Sequence, residues 1–266
     1  MSTVDAPSIG YSHRDSLRDR VVIVTGAARG LGKGIAHALL QRGASVLLTD
    51  VLEDALSATT AELRAAGLPA QAFVADLRDP DSTPQIVQAT LNAFGSLHAL
   101  VNNAVASNEP KAFADIDRAD FELVYDTGPR ATFGLMQAAR PALVAAGGGS
   151  IVNVGSVSGT AGEANFGAYA SAKEAIRGMS KVAALEWGTD GIRVNVICPL
   201  AESDGTRLWR QAAPEHYERT INRIPLKRIG NATTDVGALV AFLIGDDATY
   251  LTAQTIFVDG GSGSFR

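Results

Sequence analysis

Residues 20–32 read RVVIVTGAARGLG, so that a run of β-branched residues leads directly into a glycine-rich segment. The run has the length and composition of a buried strand, and the KGIAHALLQRG that follows has helical spacing. Glycines between a strand and a helix permit a tight turn, and the free N–H groups of the helix N-terminus attract a phosphate. The segment therefore predicts a dinucleotide-binding turn at the start of an α/β fold.

Strands and helices alternate along the rest of the chain. The predicted strands are Arg20–Gly26, Ser45–Asp50, Gln71–Asp76, Ala99–Asn102, Ser150–Gly155, Arg193–Ile197 and Ile256–Val258. The predicted helices are Gly30–Arg42, Leu52–Ala66, Pro80–Phe94, Arg118–Ala145, Gly167–Trp187 and Thr233–Ile244. Several strands are apolar on both faces, as in parallel sheets covered by helices on both sides. Because parallel crossovers are right-handed, we predict a single doubly wound parallel β-sheet of about seven strands with helices on both faces, a Rossmann-like α/β fold.

The chain divides into an arm, one domain and a lid within that domain. Residues 1–18 are polar and lack the apolar run of a signal peptide, which predicts a flexible N-terminal arm. Residues 19–266 are predicted to form a single Rossmann-fold domain. The segment at about 200–227 is long, mixed in charge and follows a strand end, where ligand crevices of open α/β sheets form. We predict a substrate lid there, helical around Arg207–Arg223, with an ordinary surface excursion as the alternative.

Charge and composition exclude several classes of function. The 266 residues include 23 Lys and Arg against 28 Asp and Glu, a net charge of −5, so no nucleic-acid partner is expected. No apolar stretch of about 18 residues occurs, which argues against a spanning helix and indicates a cytoplasmic protein. The single cysteine, Cys198, excludes an intrachain disulfide, and the four histidines are scattered without metal spacing. We therefore expect neither a membrane partner nor a metal site.

The end of the second predicted strand discriminates between the two nicotinamide dinucleotides. Asp50 lies 24 residues after Gly26, where a carboxylate accepts hydrogen bonds from the adenosine ribose. A 2′-phosphate would meet this carboxylate as a like charge, so NAD is favoured over NADP. Arg29 in the glycine turn could reach such a phosphate, which keeps NADP as the alternative. Asp50 has a second interpretation as the N-cap of the following helix.

Two further strand ends carry polar residues that suit the same cofactor. Asp76 and Leu77 follow the third strand and could hold an adenine through an acceptor and an apolar wall. Asn102 and Asn103 end the fourth strand, where side-chain amides can tie neighbouring loops or reach the cofactor. Turn chemistry explains this asparagine pair equally well.

A tyrosine and a lysine share one face of a predicted helix. Tyr169 and Lys173 in YASAK are four residues apart, and Ser156 lies 13 residues before the tyrosine. Alone, this spacing is typical of a solvated helix face. Together with the glycine turn and the strand order, it makes the chain resemble the short-chain dehydrogenase/reductase family from about Asp19 onward. The resemblance rests on TGAARGLG at 25–32, NNA at 102–104, Ser156, YASAK at 169–173, RVNVICP at 193–199 and VDGG at 258–261.

The resemblance implies an NAD-dependent oxidoreductase that interconverts a secondary alcohol and a ketone by hydride transfer. Ser156 would hydrogen-bond the substrate oxygen, Tyr169 would act as the acid and base, and Lys173 would hold the nicotinamide ribose. Lys173 and the oxidised nicotinamide would together lower the tyrosine pKa from its usual value of about 10.

The same resemblance implies which residues contact the cofactor and the substrate. The implied cofactor-binding residues are Gly26, Arg29, Gly30, Leu31, Gly32, Asp50, Asp76, Leu77, Asn103, Tyr169, Lys173 and Pro199. The implied substrate-facing residues are Val157, Glu163, Asn165 and Trp209. The expected partner is a small-molecule alcohol or ketone, and the expected assembly is a homotetramer built through the helices Arg118–Ala145 and Gly167–Trp187.

At three positions the chain departs from the family pattern. Gly128 stands where an asparagine is usual, Val105 replaces the glycine of NNAG, and Leu200 replaces the glycine after Pro199. The pair Gly128-Pro129 is expected to bend its helix. These departures motivate one alternative function, a catalytically weakened NAD-binding sensor or assembly protein. A second alternative is a reductase of an imine or an activated double bond, because Ser156 and Tyr169 could serve any polarised acceptor.

Overall fold

The computed structural model describes residues 15–263, which are built on a seven-stranded parallel sheet in the order β3-β2-β1-β4-β5-β6-β7. The strands are β1 Val21–Thr25, β2 Ser45–Asp50, β3 Ala70–Val74, β4 Ala99–Asn102, β5 Gly149–Val154, β6 Ile192–Pro199 and β7 Thr255–Val258. In the centre, Val22 of β1 lies between Val46 of β2 and Ala99 of β4. The predicted doubly wound Rossmann-like sheet is confirmed.

Helices connect the strands. Within residues 15–263 the α-helices are α1 Gly30–Leu40, α2 Glu53–Ala65, α3 Ser82–Phe94, α4 Arg118–Tyr125, α5 Ala131–Ala145, α6 Val157–Ala161, α7 Gly167–Trp187, α8 Asp204–Ala212, α9 Pro214–Arg223 and α10 Ala238–Ile244. None of these helices combines the length and the apolar composition needed to cross a membrane.

The core lies on both faces of the sheet. Val22 and Val24 of β1 belong to one buried cluster, together with Leu39 of α1. Ile23 of the same strand belongs to a second cluster, together with Leu135 of α5. Because successive side chains of a strand point to opposite faces, β1 is buried on both sides, which explains its continuous run of β-branched residues.

The chain order reverses between β1 and β4, in the middle of the sheet. The loops that leave the carboxyl ends of these two strands run in opposite directions, and a crevice forms between them. The glycine turn follows β1 and Asn103 follows β4. Both therefore lie at the crevice.

The structure refines the prediction for two helices. The helix predicted over Arg118–Ala145 is divided by a π-helical turn, Asp126–Arg130, because Pro129 has no N–H and cannot continue an α-helical ladder. The irregularity expected at Gly128-Pro129 is therefore present. The helix predicted at Thr233–Ile244 likewise begins with a π-helical turn, Ala232–Gly237.

The predicted N-terminal arm is described only from Asp15 onward, and residues 1–14 lie outside the described residues. Leu17 is fully buried in the cluster that contains Leu39, and its N–H donates to the Arg42 carbonyl at 2.8 Å. Burial of a leucine side chain contributes roughly 1.5–3 kcal/mol to folding. Leu17 therefore packs against the domain, whereas Asp15, Ser16 and Arg18 are exposed.

The segment predicted as a lid contains two short helices, α8 and α9. Trp209 of α8 packs edge-on against Tyr217 of α9, with ring centroids 4.9 Å apart. At the base of the segment, Ala201 forms a parallel bridge with Gly230. The helical content expected around Arg207–Arg223 is therefore present, with a break at Ala213.

Candidate active site

The turn after β1 takes a shape that glycine permits. Gly26 and Gly30 have φ angles of 63° and 55°, in the left-handed region that disfavours a side chain. A Cβ at Gly32 would lie only 2.1 Å from the Gly26 carbonyl oxygen. The N-cap of α1, Arg29, makes no side-chain cap hydrogen bond, so the first N–H groups of the helix are available to an anion.

Hydrogen bonds from Asn103 hold this turn against the end of β4. Its side-chain amide donates to the carbonyls of Thr25 at 2.8 Å and Gly26 at 3.2 Å, and its backbone N–H donates to Thr25 Oγ1 at 3.0 Å. Asn102 is directed elsewhere, since its amide donates to Asn153 Oδ1 on β5 at 2.8 Å. Both asparagine side chains therefore hold neighbouring segments together, which is one of the roles predicted for this pair.

Asp50 joins the end of β2 to the same turn. Its Oδ2 accepts the Ala28 N–H at 3.0 Å, and its Oδ1 accepts the Leu52 N–H at 3.1 Å. The N-cap of α2 is Leu52, without a side-chain cap hydrogen bond, so the interpretation of Asp50 as the N-cap is wrong. Each carboxylate oxygen has acceptor capacity beyond these bonds, so further donors can still bind there.

A cavity of about 350 Å³ opens beside the turn at the carboxyl ends of the strands. Six of the residues expected to bind the cofactor line it: Gly26, Arg29, Asp50, Asp76, Leu77 and Asn103. Three others lie around the turn but outside this lining. Gly30 lines a neighbouring cavity, Leu31 packs against the core and Gly32 packs closely against the Gly26 carbonyl.

Asp76 carries an ion pair that sequence reasoning missed. The Arg78 guanidinium lies 2.5 Å from Asp76 Oδ2 and holds the pKa of that carboxyl below its usual range. An adenine seated beside Asp76 would therefore meet a carboxylate already paired with a planar cation. A basic residue two positions after a strand-end aspartate is the sequence signal that could have found Arg78.

Ser156 and Tyr169 lie together beyond the carboxyl end of β5. Ser156 is the N-cap of α6, and its Oγ accepts the Ser158 N–H at 3.1 Å. The Tyr169 phenol, in the first turn of α7, is close enough to interact with the Ser156 side chain. Burial raises the pKa of the Tyr169 phenol, and the interaction with Ser156 acts in the opposite direction. Because the burial effect is the larger, the phenol of the free protein is a proton donor at neutral pH.

Lys173 places a buried positive charge next to this pair. The residue is 2% exposed, and its Nζ donates to the Val154 carbonyl at 2.8 Å. Nζ also lies 5.5 Å from the centroid of the Tyr169 ring. Burial lowers the pKa of Lys173 to about 8, so the ammonium form still predominates at pH 7. An ammonium has three N–H donors, which leaves two for other acceptors.

Two of the residues expected to face the substrate adjoin Ser156 and Tyr169. Val157 follows Ser156 as the first residue of α6. Glu163 accepts a hydrogen bond from the Ser158 hydroxyl, and its negative charge contributes to the raised pKa of Tyr169. These contacts place Glu163 within electrostatic reach of the Tyr169 phenol.

The other two expected substrate residues lie in different surroundings. Asn165 has a φ of 70°, and its carbonyl accepts the Lys111 N–H at 3.0 Å, which ties the loop before α7 to the segment after β4. Trp209 lies in the lid, where its indole N–H donates to His216 Nδ1 at 3.2 Å. The ring contacts that the structure shows for Trp209 are with the lid's own residues.

Two of the departures from the family pattern are neighbours in space. Gly128 lies on the π-helical turn, and a Cβ at this position would lie 3.3 Å from Val105 Cγ2. The valine therefore stands against the position where a side chain at residue 128 would begin. Thr127 fixes this arrangement, since its hydroxyl accepts the Ala106 N–H at 2.9 Å. The departures from the family pattern at positions 128 and 105 are therefore in contact with each other.

The third departure lies at the base of the lid. Pro199 ends β6 beside Val258 of β7, and the Leu200 N–H donates to the Val258 carbonyl at 2.9 Å. The Leu200 carbonyl accepts the Gly230 N–H at 3.0 Å. The backbone of Leu200 therefore anchors the start of the lid to the sheet and to the segment that follows the lid.

An ion pair joins the glycine turn to the lid. Arg29 Nε lies 2.8 Å from Asp204 Oδ2, at the first residue of α8. A Cβ at Gly30 would lie 3.8 Å from Ser203 Cα, so the start of the lid lies directly against the turn. Sequence reasoning missed Asp204, because no local pattern indicates a partner so distant along the chain.

The similarity to known proteins extends over nearly the whole chain. Residues 26–263 match the family profile described as enoyl-(acyl carrier protein) reductase. A 12α-hydroxysteroid dehydrogenase from a Clostridium species is 35% identical over 251 residues, which cover 92% of this chain and 96% of that protein. A cyclohexanol dehydrogenase from an Acinetobacter species is 33% identical over 246 residues, with the same two coverages of 92% and 96%. Among solved structures, a short-chain type dehydrogenase/reductase from Mycobacterium ulcerans has a TM-score of 0.87 at 31% identity, covering 92% of this chain and 90% of that one.

Proposed function

Because the chain belongs to the short-chain dehydrogenase/reductase family of oxidoreductases, we propose that it interconverts a secondary alcohol and a ketone with NAD as the hydride carrier. The observation that carries this proposal is the Tyr169 phenol, which interacts with Ser156 and has the buried Lys173 ammonium 5.5 Å from its ring centroid. The cyclohexanol dehydrogenase relative is named for a secondary alcohol, which supports the same class of substrate.

The described residues fit a nicotinamide dinucleotide. The turn has no space for a side chain at Gly32, and α1 begins without a side-chain cap, which suits the close approach of a pyrophosphate. Asp50 offers acceptors for ribose hydroxyls, and the cavity continues past it to Asp76 and Leu77. When bound, NAD would supply the hydride acceptor of the reaction.

The chain's own residues would manage the proton and the substrate oxygen. Ser156 would donate a hydrogen bond to that oxygen, and Tyr169 would give a proton to a ketone or take one from an alcohol. To act as a base near pH 7, a tyrosine needs a pKa about 3 units below its usual value, equivalent to about 4 kcal/mol. Because burial acts in the wrong direction in the free protein, this shift depends on the charge of Lys173 together with that of the bound cofactor.

The preference for NAD over NADP rests on Asp50. Two backbone N–H groups fix its carboxylate at the cavity, so a ribose 2′-phosphate would approach a negative charge that cannot turn away. Among the residues that the structure describes, Arg29 is the single cation in the cavity lining, and it is paired with Asp204. The local charge therefore favours a free ribose hydroxyl over a phosphate.

The first test is the initial rate of NADH oxidation with a broad panel of ketones, with NADPH as the matched control. We expect turnover with kcat/KM for NADH at least about 10-fold above that for NADPH, a difference of about 1.4 kcal/mol. Turnover with NADPH in preference to NADH would contradict the assignment of NAD. Tight NADH binding without turnover of any ketone, alcohol or imine would instead favour the sensor or assembly role.

We also propose a homotetramer that forms through α5 and α7. Phe133 of α5 and Val182 and Leu185 of α7 are 52%, 53% and 79% exposed in the single chain, and such large apolar side chains favour burial against another subunit. The two helices also border a groove of about 530 Å³ that includes Trp187. Light scattering should give about four times the chain mass of 27.6 kDa, and a monomeric mass would contradict the proposal.

A further inference from the structure

We propose that Asp204 of the lid is a specificity-determining residue, which favours NAD by holding the Arg29 guanidinium away from the ribose 2′-position. This inference rests on the NAD preference proposed above and adds a second cause to it. Asp50 would repel a 2′-phosphate, and Asp204 would withhold the cation that could attract one.

The ion pair is built into the geometry of the lid. Arg29 Nε lies 2.8 Å from Asp204 Oδ2, and the aspartate side chain is 29% exposed against 63% for the arginine. Ser203 fixes the start of α8, because its hydroxyl accepts the Thr206 N–H while Thr206 Oγ1 accepts the Ser203 N–H. Asp204 is the next residue, so its carboxylate is positioned by a capped helix end rather than by a loose loop.

The competing position for the guanidinium is inside the cofactor cavity, next to Asp50. Ala28, the neighbour of Arg29, donates its N–H to Asp50 Oδ2 at 3.0 Å, and both Arg29 and Asp50 line the cofactor cavity. A phosphate on a ribose hydroxyl held by Asp50 would therefore lie within reach of a guanidinium released from Asp204. Guanidinium groups bind phosphates strongly, so a free Arg29 would offset part of the repulsion from Asp50.

A second arginine keeps Asp204 in place. Arg207, one turn further along α8, also pairs with the Asp204 carboxylate. The aspartate is therefore held by a partner on its own helix even when the guanidinium of Arg29 moves. Arg29 has no such second anion among the ion pairs of residues 15–263, so its position depends on Asp204.

The test is a binding cycle with four proteins: the wild type, Asp204→Asn, Arg29→Ala and the double variant. NADH and NADPH dissociation constants are measured by fluorescence titration, which requires no substrate and no turnover. We expect Asp204→Asn to improve NADPH binding relative to NADH by about 5-fold, in the range of a single exposed charge pair. In the double variant, Arg29→Ala should remove this gain. As a single substitution, Arg29→Ala should have little effect on the ratio of the NADPH and NADH dissociation constants.

The control is Glu215→Gln, which removes a carboxylate from α9 of the same lid, where its ion pair among residues 15–263 is with Arg219 of its own helix. This variant should leave the ratio of the NADPH and NADH dissociation constants unchanged.

The inference would be overturned if Asp204→Asn left this ratio unchanged. It would also be overturned if Arg29→Ala weakened NADPH binding equally in the wild-type and Asp204→Asn backgrounds. If Asp204→Asn does not fold, Asp204→Ser preserves a good helix start and the same readings apply. A wild type that prefers NADPH would refute the proposed NAD preference instead, and the gain on Asp204→Asn would still report on the restraint of Arg29.

Discussion

Replacement of Tyr169 by phenylalanine is expected to lower kcat for ketone reduction by about 10³-fold, within the range for loss of a general acid. The variant removes the hydroxyl that interacts with Ser156 and leaves the ring in its place beside Lys173. Because phenylalanine fills nearly the same volume, NADH affinity should change by less than about 3-fold. Steady-state rates and a fluorescence titration of NADH on the same preparation measure the two effects separately.

A matched control distinguishes catalysis from a general effect of losing a hydroxyl. Tyr250 is fully exposed, so Tyr250→Phe removes the same atom from a surface position. Wild-type rates are expected for this control. Retention of most of the activity by Tyr169→Phe would contradict the assignment of the proton to Tyr169.

The direction of the reaction should respond to pH in a manner that follows from the same residue. Burial raises the pKa of Tyr169, so the protonated phenol prevails at neutral pH and suits ketone reduction. Alcohol oxidation requires the phenolate, and its rate should therefore increase with pH between about 7 and 9. Lys173, with a pKa of about 8 in the free protein, loses its charge within this range, so the increase in the oxidation rate should become less steep above about pH 8.

Replacement of Gly32 by alanine is expected to abolish measurable NADH binding and to lower the free energy of unfolding by about 3 kcal/mol. The added Cβ would lie 2.1 Å from the Gly26 carbonyl and 2.7 Å from the Asn103 amide, so the turn must open. Opening would separate Asn103 from the carbonyls of Thr25 and Gly26, to which it donates. Thermal unfolding with and without NADH would measure both consequences, since a ligand that binds the folded state raises Tm.

The control for this prediction is Gly188→Ala at the end of α7. Gly188 has a φ of −58°, and an added Cβ would meet no atom within 4 Å. The same methyl group should leave Tm and NADH affinity close to the wild type. If Gly32→Ala still binds NADH with wild-type affinity, the tight turn is not the pyrophosphate site.

The sequence predicts most of the sheet, because local composition determines a buried strand. The apolar runs within Val21–Thr25 and Ser45–Asp50 are found as strands, and the glycine turn lies between β1 and α1 as expected. The π-helical turn at Gly128-Pro129 also follows from local chemistry, since a proline lacks the N–H of the helical ladder.

Features that depend on contacts between distant segments are not visible in the sequence. The pairing of Arg29 with Asp204 joins a turn near the start of the chain to the lid near its end. Leu17 is buried in a cluster that includes residues of α1 and α10. The polar sequence around residue 17 gives no local sign of this burial. The sequence predicts that Asn103 lies at a strand end. That its amide donates to the carbonyls of Thr25 and Gly26 is visible only in the structure.

The contact between Val105 and Gly128 has a consequence for anyone who re-engineers this pocket. A side chain introduced at 128 would start 3.3 Å from a methyl group of Val105, so its effect depends on the residue present at 105. Mutational scanning of position 128 alone would therefore record a penalty that depends on the valine at 105. Asparagine at 128 should be tolerated better in a background with glycine at 105, which makes the two positions an epistatic pair for any directed evolution of substrate range.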